Sequence, residues 1–198
     1  MKKINKRIQN STDVYFGELF DTYSKLNVIR LDLSYKKEIA ENITTKEVKQ
    51  DLNRLLNNRR HNQTVFGDCV GHLCKLEKGE DKGNHLHSMF FFDGHKIEND
   101  GYKASQIGKY WVDNITNGNG LHHSCNADKS KYKHVGVGMI NHFDTEKRNI
   151  LTNMVASYFA KEEQQVNSDT SAKERTFFKG IVTKQKSNAG RPRKEPES

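Results

Sequence analysis

Two histidines and a glutamate are spaced in a way that could bind a metal ion. His85 and His87 stand two residues apart at the start of the apolar run HLHSMFFF, and Glu77 lies eight residues before His85. Successive side chains of a strand alternate between its two faces, so both imidazoles should point the same way, about 6 to 7 Å apart. Two neutral imidazoles at that separation can share one divalent cation.

A third ligand is needed for tight binding, and a β-hairpin would supply one. The segment KGEDKGN separates two strand-like segments and is rich in turn residues. If these strands pair antiparallel with Glu77 opposite His85, the carboxylate lies on the same face as the imidazoles. His72 and Asp93 are the alternative third ligands. One carboxylate with two imidazoles leaves open positions and suits Mg²⁺ or Mn²⁺, or else a catalytic Zn²⁺.

A tyrosine near the end of a predicted helix is the candidate nucleophile. The segment DTEKRNILTNMVASYFAK predicts a helix, and its SYFAK end places Tyr158 and Lys161 three residues apart, near one helix face. A free tyrosine has a pKa of about 10 and is a poor nucleophile at neutral pH. A nearby cation would lower that pKa and stabilise charge developing on a phosphate. The alternative is that Tyr158 packs in the core.

The composition favours a soluble domain with a polyanionic partner. The chain has 198 residues, of which 33% are hydrophobic, with a mean hydropathy of −0.91. Its net charge of +8 favours nucleic acid first and an anionic membrane surface second. No apolar run approaches the roughly 18 residues that span a bilayer. The three cysteines lack a pairing pattern and indicate free thiols in a reducing cytoplasm.

The order of predicted elements is strand, helix, hairpin, helix, further strand and helix. This order predicts an α+β domain with a mainly antiparallel central sheet flanked by helices. NVIRLDLSYKK alternates like a strand, and RTFFKGIV is a predicted edge strand. We expect a flexible N-terminus over 1–13, one domain over 14–182 and a basic disordered tail over 183–198.

The segment TTKEVKQDLNRLLNNRR predicts a basic helix that begins with the capping-box residues Thr44 and Glu47. Its polar face and its end carry five candidate phosphate contacts: Lys46, Lys49, Arg54, Arg59 and Arg60. A solvated helix face is the alternative. Candidate platforms for base stacking are Tyr35, Tyr110 and Trp111, although core packing is the more common role of such a tryptophan.

The order of these motifs resembles a known superfamily. A strand like IRLDLSY, then Glu…H-x-H, then Y-x-x-K on a helix resembles the HUH superfamily of single-strand DNA nickases, which includes rolling-circle replication initiators. GNHLHSMFFFDG, IGKYWVDNI and SYFAKEEQ look more narrowly like the inovirus-type, gene II-like replication proteins of filamentous phages and prophages. The resemblance covers about residues 27–182. The chain departs from relatives that use two tyrosines, because it offers only one convincing candidate.

The resemblance implies an HUH-type nuclease domain that cuts one DNA strand at a replication origin. A divalent cation held by His85, His87 and Glu77 would polarise the phosphodiester, and Tyr158 would attack it to give a 5′-phosphotyrosyl enzyme. Lys161 would orient the tyrosine or neutralise the phosphate. The free 3′-OH would serve host replication machinery. The expected location is the bacterial host cytoplasm, at the nucleoid, with no membrane partner and no small-molecule substrate.

The C-terminal tail carries the last predicted DNA contacts. GRPRK resembles the core of a minor-groove hook, in which Arg191 and Arg193 would bind DNA, and a solvated tail is the alternative.

A non-catalytic DNA-binding protein on the same fold is the main competing function. A relaxase or transposase of the same superfamily would use the same chemistry. A histidine-triad hydrolase would need a third alternating histidine, and Met89 stands at that position.

Overall fold

The computed structural model describes residues 4–79, 83–131, 135–160 and 175–182. These residues form an α+β domain with a six-stranded antiparallel sheet flanked by helices, which confirms the predicted fold class. The strands are β1 Lys25–Tyr35, β2 Cys69–Gly79, β3 Gly83–Asp93, β4 Gly120–Ser124, β5 Gly138–Asn141 and β6 Phe177–Lys179. Their order is β4-β1-β3-β2-β6, and β5 pairs with the same edge of β1 as β4.

Helices cover both faces of this sheet. They are α1 Lys6–Thr22, α2 Lys37–Ala40, α3 Thr45–Asn58, α4 Gln63–Phe66, α5 Asp100–Tyr110, α6 Thr145–Ile150 and α7 Ser157–Ala160. A π-helical segment, Trp111–Ile115, continues α5, and a second, Leu151–Ala156, joins α6 to α7. A 3₁₀ turn spans Lys129–Lys131. None of the helices in these ranges has the length and apolar character needed to cross a membrane.

The sheet separates two apolar cores. Leu31 of β1 and Phe90 of β3 pack with α3, α4 and α5 on one face. Val28 of β1 and Phe91 of β3 pack with α1, Leu151 and α7 on the other, which we call the α1 face. Because β3 is buried on both faces, its sequence is a continuous apolar run rather than an alternating one.

The capping box predicted for α3 is present. Thr44 Oγ1 accepts a hydrogen bond from Glu47 N at 3.2 Å, and the Glu47 carboxylate accepts one from Thr44 N at 2.8 Å. The buried residues of α3, Val48, Leu52 and Leu55, recur at helical spacing. This helix therefore covers the sheet face opposite α1.

The N-terminal segment differs from the prediction. Residues 6–13 were expected to be flexible, but they form the first half of α1. The Asn5 side chain caps this helix by accepting from Ile8 N at 3.1 Å. The apolar residues that anchor it lie mostly in its second half, where Phe16 and Leu19 are buried, so the polar first half gave no helix signal. Residues 1–3 and the predicted tail 183–198 lie outside the described residues.

Candidate metal centre

Three side chains of one hairpin form a compact cluster of metal-ligand atoms. Glu77 lies on β2, and His85 and His87 lie on β3. The register places Glu77 opposite His85, as the sequence predicted. One nitrogen of each histidine and one oxygen of Glu77 all lie within 4.8 Å of one another. All three residues are buried on the α1 face of the sheet, at the hairpin end of β2 and β3.

His87 is held between two carboxylates. Its Nδ1 lies 2.6 Å from Oδ1 of Asp32 on β1, and its Nε2 lies 3.0 Å from Oε2 of Glu77. Burial disfavours the imidazolium, but the hydrogen bonds to the two carboxylates outweigh it and raise the pKa of His87 to about 8. The pKa of Asp32 is lowered, since the bond from His87 outweighs the effect of burial.

His85 has the opposite electrostatic environment. Burial lowers the pKa of His85, so the imidazole is neutral at pH 7. Its Nδ1 donates to the carbonyl oxygen of Gly83 at 3.1 Å, because a carbonyl can only accept. The Nε2 lone pair is then available as a metal ligand. The rings of His85 and His87 stand nearly perpendicular, with centroids 4.9 Å apart.

A buried lysine completes the cluster. Lys75 lies two residues before Glu77 on β2, and its Nζ is 2.7 Å from Oε1 of Glu77. Only 5% of Lys75 is exposed, so this ammonium does not reach solvent in the way a surface lysine does. The two oxygens of Glu77 therefore face different partners, Lys75 on one side and His87 on the other.

The donor set fits a small divalent cation. A carboxylate and two imidazoles are ligands that Mn²⁺, Mg²⁺ and Zn²⁺ accept. The Asp32 carboxylate accepts a hydrogen bond from Nδ1 of His87, as a carboxylate behind a metal-binding histidine commonly does. The rival ligands do not join the cluster. Asp93 is the last residue of β3, and His72 pairs with Phe90 further along the hairpin.

The helix that carries the candidate nucleophile covers the same face of the sheet. Phe159 of α7 is fully buried with Met89 and Phe91, whose side chains alternate on β3 in step with His85 and His87. The backbone of Tyr158 lies within α7, one residue before Phe159. The Tyr158 side chain lies outside the part of the chain that the structure describes.

The hydrogen bonds of α1 link it to both β2 and α7. Tyr15 Oη accepts from the backbone N of His72 at 3.1 Å, and Asn5 N donates to the carbonyl of Ala160 at 2.7 Å. Both α1 and α7 therefore cover the face of the sheet that holds the cluster.

Three predicted site residues are not among those that the structure describes. Lys161, Arg191 and Arg193 all lie outside the described ranges. Their roles stay predictions from the sequence.

The basic residues of α3 do not line the cluster. This helix packs on the opposite face of the sheet. Arg54 donates to the carbonyl of Ile115 at 2.9 Å, and Arg59 donates to that of Cys69 at 3.3 Å, so both support the fold. Lys46 and Arg60 are exposed and Lys49 is half-buried, all three away from the cluster.

The predicted stacking platforms belong to the core. Tyr35 is 4% exposed, donates to Asp51 at 2.8 Å and packs edge-on against the fully buried Trp111. Tyr110 accepts a hydrogen bond from Asn58 at 3.0 Å and packs against Phe66. Tyr35 and Trp111 therefore cannot stack on bases in this structure, because neighbouring helices cover them.

Two residues of the cluster were missed from the sequence. Asp32 lies in the segment NVIRLDLSYKK, which was predicted as a strand, but neither Asp32 nor Lys75 was singled out. The available signal for Lys75 was its position two residues before Glu77, which puts both side chains on the same face of β2. Asp32 could be assigned only once β1 was known to pair with β3, which sets Asp32 opposite His87.

The comparisons with known proteins give one match. A family model described as the YagK/YfjJ C-terminal domain matches residues 3–178, which is most of the chain. No curated protein matches the chain, and no solved structure matches it. The matched range includes the whole cluster and α7.

Proposed function

Because the chain belongs to the YagK/YfjJ C-terminal domain family of prophage-associated proteins, and because a buried Glu–His–His cluster could hold a metal ion, we propose that it is a metal-dependent, strand-specific DNA nickase of the HUH type. The observation that carries the proposal is that the cluster and α7 lie on the same face of the sheet. A phosphate between them would meet both the cation ligands and the helix of Tyr158.

The roles of the cluster follow from its contacts. Glu77, His85 and His87 would hold the cation, which would polarise the scissile phosphodiester and offset its negative charge. Asp32 holds the outer nitrogen of His87 and so directs the inner nitrogen towards the cluster. The burial of these ligands excludes bulk water and strengthens their electrostatic interactions.

Tyr158 is the proposed nucleophile. Its phenolate oxygen attacks the phosphorus, the bond from phosphorus to the 3′ oxygen breaks, and that oxygen leaves as a 3′-OH after taking a proton. The product is a 5′-phosphotyrosyl bond, which conserves the energy needed for rejoining. The ammonium of Lys161 stabilises the phenolate before the attack. The 3′-OH then primes a host polymerase.

This chemistry suits the initiation of rolling-circle replication of a phage or prophage-like element in a bacterial cytoplasm. The net charge of +8 supports a DNA partner. Lys46, Lys49 and Arg60 would contact DNA that flanks the cut, beyond the sheet face that holds the cluster. Arg191 and Arg193 would add contacts in a minor groove.

The test is the capture of the covalent intermediate. The full chain is incubated with supercoiled and with circular single-stranded DNA of its element, with Mn²⁺ or Mg²⁺. We expect a protein–DNA adduct that resists denaturation and maps to Tyr158 by peptide mass. Tyr158→Phe should abolish the adduct and keep DNA binding. Tyr102→Phe is the matched control, because Tyr102 is 62% exposed and remote from the cluster.

A non-catalytic DNA-binding protein is the second candidate. It is favoured by the internal bonds of the cluster, in which His87 bridges Asp32 and Glu77 while Lys75 pairs with Glu77. Such a network is satisfied without a cation and can serve the fold alone. DNA binding with no adduct on any DNA of the element would support this function and contradict the nickase.

A further inference from the structure

We propose that Lys75 is a positioning residue of the metal centre, which restricts Glu77 to one ligand oxygen and sets the charge of the loaded site. The inference rests on the cation binding of the proposed function, and it does not require DNA cleavage. It starts from the ammonium of Lys75, which lies 2.7 Å from Oε1 of Glu77.

The strand geometry fixes this contact. Lys75 and Glu77 are two residues apart on β2, so their side chains leave the same face of the sheet. Lys75 also stands opposite His87 in the register of the hairpin. A buried ammonium is costly unless a carboxylate compensates it, and the Glu77 carboxylate provides such compensation for Lys75, which is 5% exposed.

The contact with Lys75 gives the two carboxylate oxygens of Glu77 different partners. Oε2 lies 3.0 Å from Nε2 of His87 and belongs to the ligand cluster, whereas Oε1 is held by Lys75. A glutamate with both oxygens available can bind a cation in bidentate fashion. With Oε1 engaged by the ammonium, Glu77 would offer a cation one oxygen rather than two.

Lys75 also sets the charge that a substrate meets. The carboxylates of Asp32 and Glu77 with the ammonium of Lys75 give the bonded group a net charge of −1 when the imidazoles are neutral. A divalent cation changes this to +1, which a phosphodiester neutralises. Without Lys75 the loaded group would be neutral, and it would attract the phosphodiester less.

The test is cation binding by Lys75→Met in the full chain, without DNA. Free Mn²⁺ is measured by electron paramagnetic resonance during titration of the protein. We expect Lys75→Met to bind Mn²⁺ about tenfold more tightly than the wild type, since the repulsion between the ammonium and the cation is removed and Glu77 is freed. Lys75→Arg retains the charge and should bind as the wild type does.

The matched control is Lys109→Met. Lys109 also pairs with a carboxylate, that of Asp113 at 3.0 Å, but its side chain is 79% exposed and lies on α5 on the other face of the sheet. Its removal should leave Mn²⁺ affinity unchanged. If Lys75→Met does not fold, Lys75→Gln is titrated in its place, with folding checked by circular dichroism.

The outcomes separate this inference from the proposed function. Equal or weaker Mn²⁺ binding by a folded Lys75→Met or Lys75→Gln overturns the inference, even if the wild type nicks DNA. Tighter Mn²⁺ binding with no adduct from the wild type supports the inference and contradicts the nickase. If both the inference and the nickase proposal are correct, Lys75→Met should form the adduct about tenfold more slowly although it binds Mn²⁺ more tightly. If Lys75 had only a structural role, the substitution would weaken both Mn²⁺ binding and adduct formation. A wild type that binds no Mn²⁺ contradicts both.

Discussion

Asp32 and His87 are directly opposite each other on neighbouring strands, and their side chains meet at 2.6 Å between Oδ1 and Nδ1. The pair joins β1 to the β2–β3 hairpin that carries the ligand cluster. It ties the orientation of one candidate ligand to the pairing of two long central strands. A carboxylate in this position raises the basicity of the imidazole and fixes its ring.

Asp32→Asn should weaken Mn²⁺ binding by about tenfold to a hundredfold, because an amide holds and polarises His87 less strongly than a carboxylate. Isothermal titration calorimetry measures the affinity. Asp113→Asn is the control, since Asp113 is a solvent-exposed aspartate on the opposite side of the sheet. Equal affinities for Asp32→Asn and the wild type would show that Asp32 serves the fold and not the ligand.

His85→Gln should remove the stabilisation that a bound cation gives. A ligand at about a hundred times its Kd raises the free energy of unfolding by about 2.7 kcal/mol. The wild type should therefore melt at a higher temperature with Mn²⁺ than with a chelator, and His85→Gln should not. His61→Gln, at an exposed position, should behave as the wild type. A Mn²⁺-dependent shift that survives in His85→Gln would place the cation elsewhere.

His72 should make the protein less stable in mild acid. Burial, with help from Arg59 and Arg60, lowers the pKa of His72 from 6.5 to about 4. Between these values the unfolded chain binds a proton that the folded chain does not, so the free energy of unfolding falls as the pH falls. The difference corresponds to about 3 kcal/mol at most.

Urea unfolding of the wild type and His72→Gln at pH 7 and pH 4.5 measures this effect. The variant should lose less stability between the two pH values. The pKa of His87 is raised to about 8, so His87 adds stability as the pH falls from 7 towards 6.5 and below, but it does so equally in both proteins. The difference between the wild type and His72→Gln therefore reports His72. His61→Gln controls for the loss of an exposed histidine. Identical pH dependence in the wild type and His72→Gln would contradict the prediction.

Thr44→Ala should lower the free energy of unfolding by about 1 kcal/mol, because it removes the side chain that caps α3. Chemical denaturation measures the change. Thr45→Ala, one residue on, leaves the cap in place and should cost less. Since α3 lies on the face opposite the cluster, Mn²⁺ affinity should be unchanged in both variants. A large loss of affinity in Thr44→Ala would show that the two faces are coupled.

The sequence predicted the elements whose signals are local. The alternation of β1, the capping box of Thr44 and Glu47, and the hairpin register of Glu77 and His85 each depend on residues near one another in the chain. The helix α1 was not predicted at all, because its polar first half forms a helix only where the second half packs on Phe91. Local propensity is a weak guide where tertiary packing decides.

The candidate site could be predicted only in part for the same reason. The ligand triad lies within one hairpin, so its spacing was visible. Asp32 and His87 are 55 residues apart in the chain, and only the strand order brings them together. The burial of Tyr35 and Trp111 likewise depends on helices that pack over them from elsewhere in the chain.

Gly83 has a φ of +60°, and a Cβ there would lie 2.5 Å from the carbonyl oxygen of Ala40. This glycine therefore accepts no side chain without a shift of the backbone. Its own carbonyl receives the Nδ1 proton of His85 and so selects the tautomer in which Nε2 carries the lone pair. The backbone of Gly83, a residue without a side chain, thus decides which nitrogen of His85 can bind a metal ion. The candidate metal centre therefore includes residues beyond its three ligands.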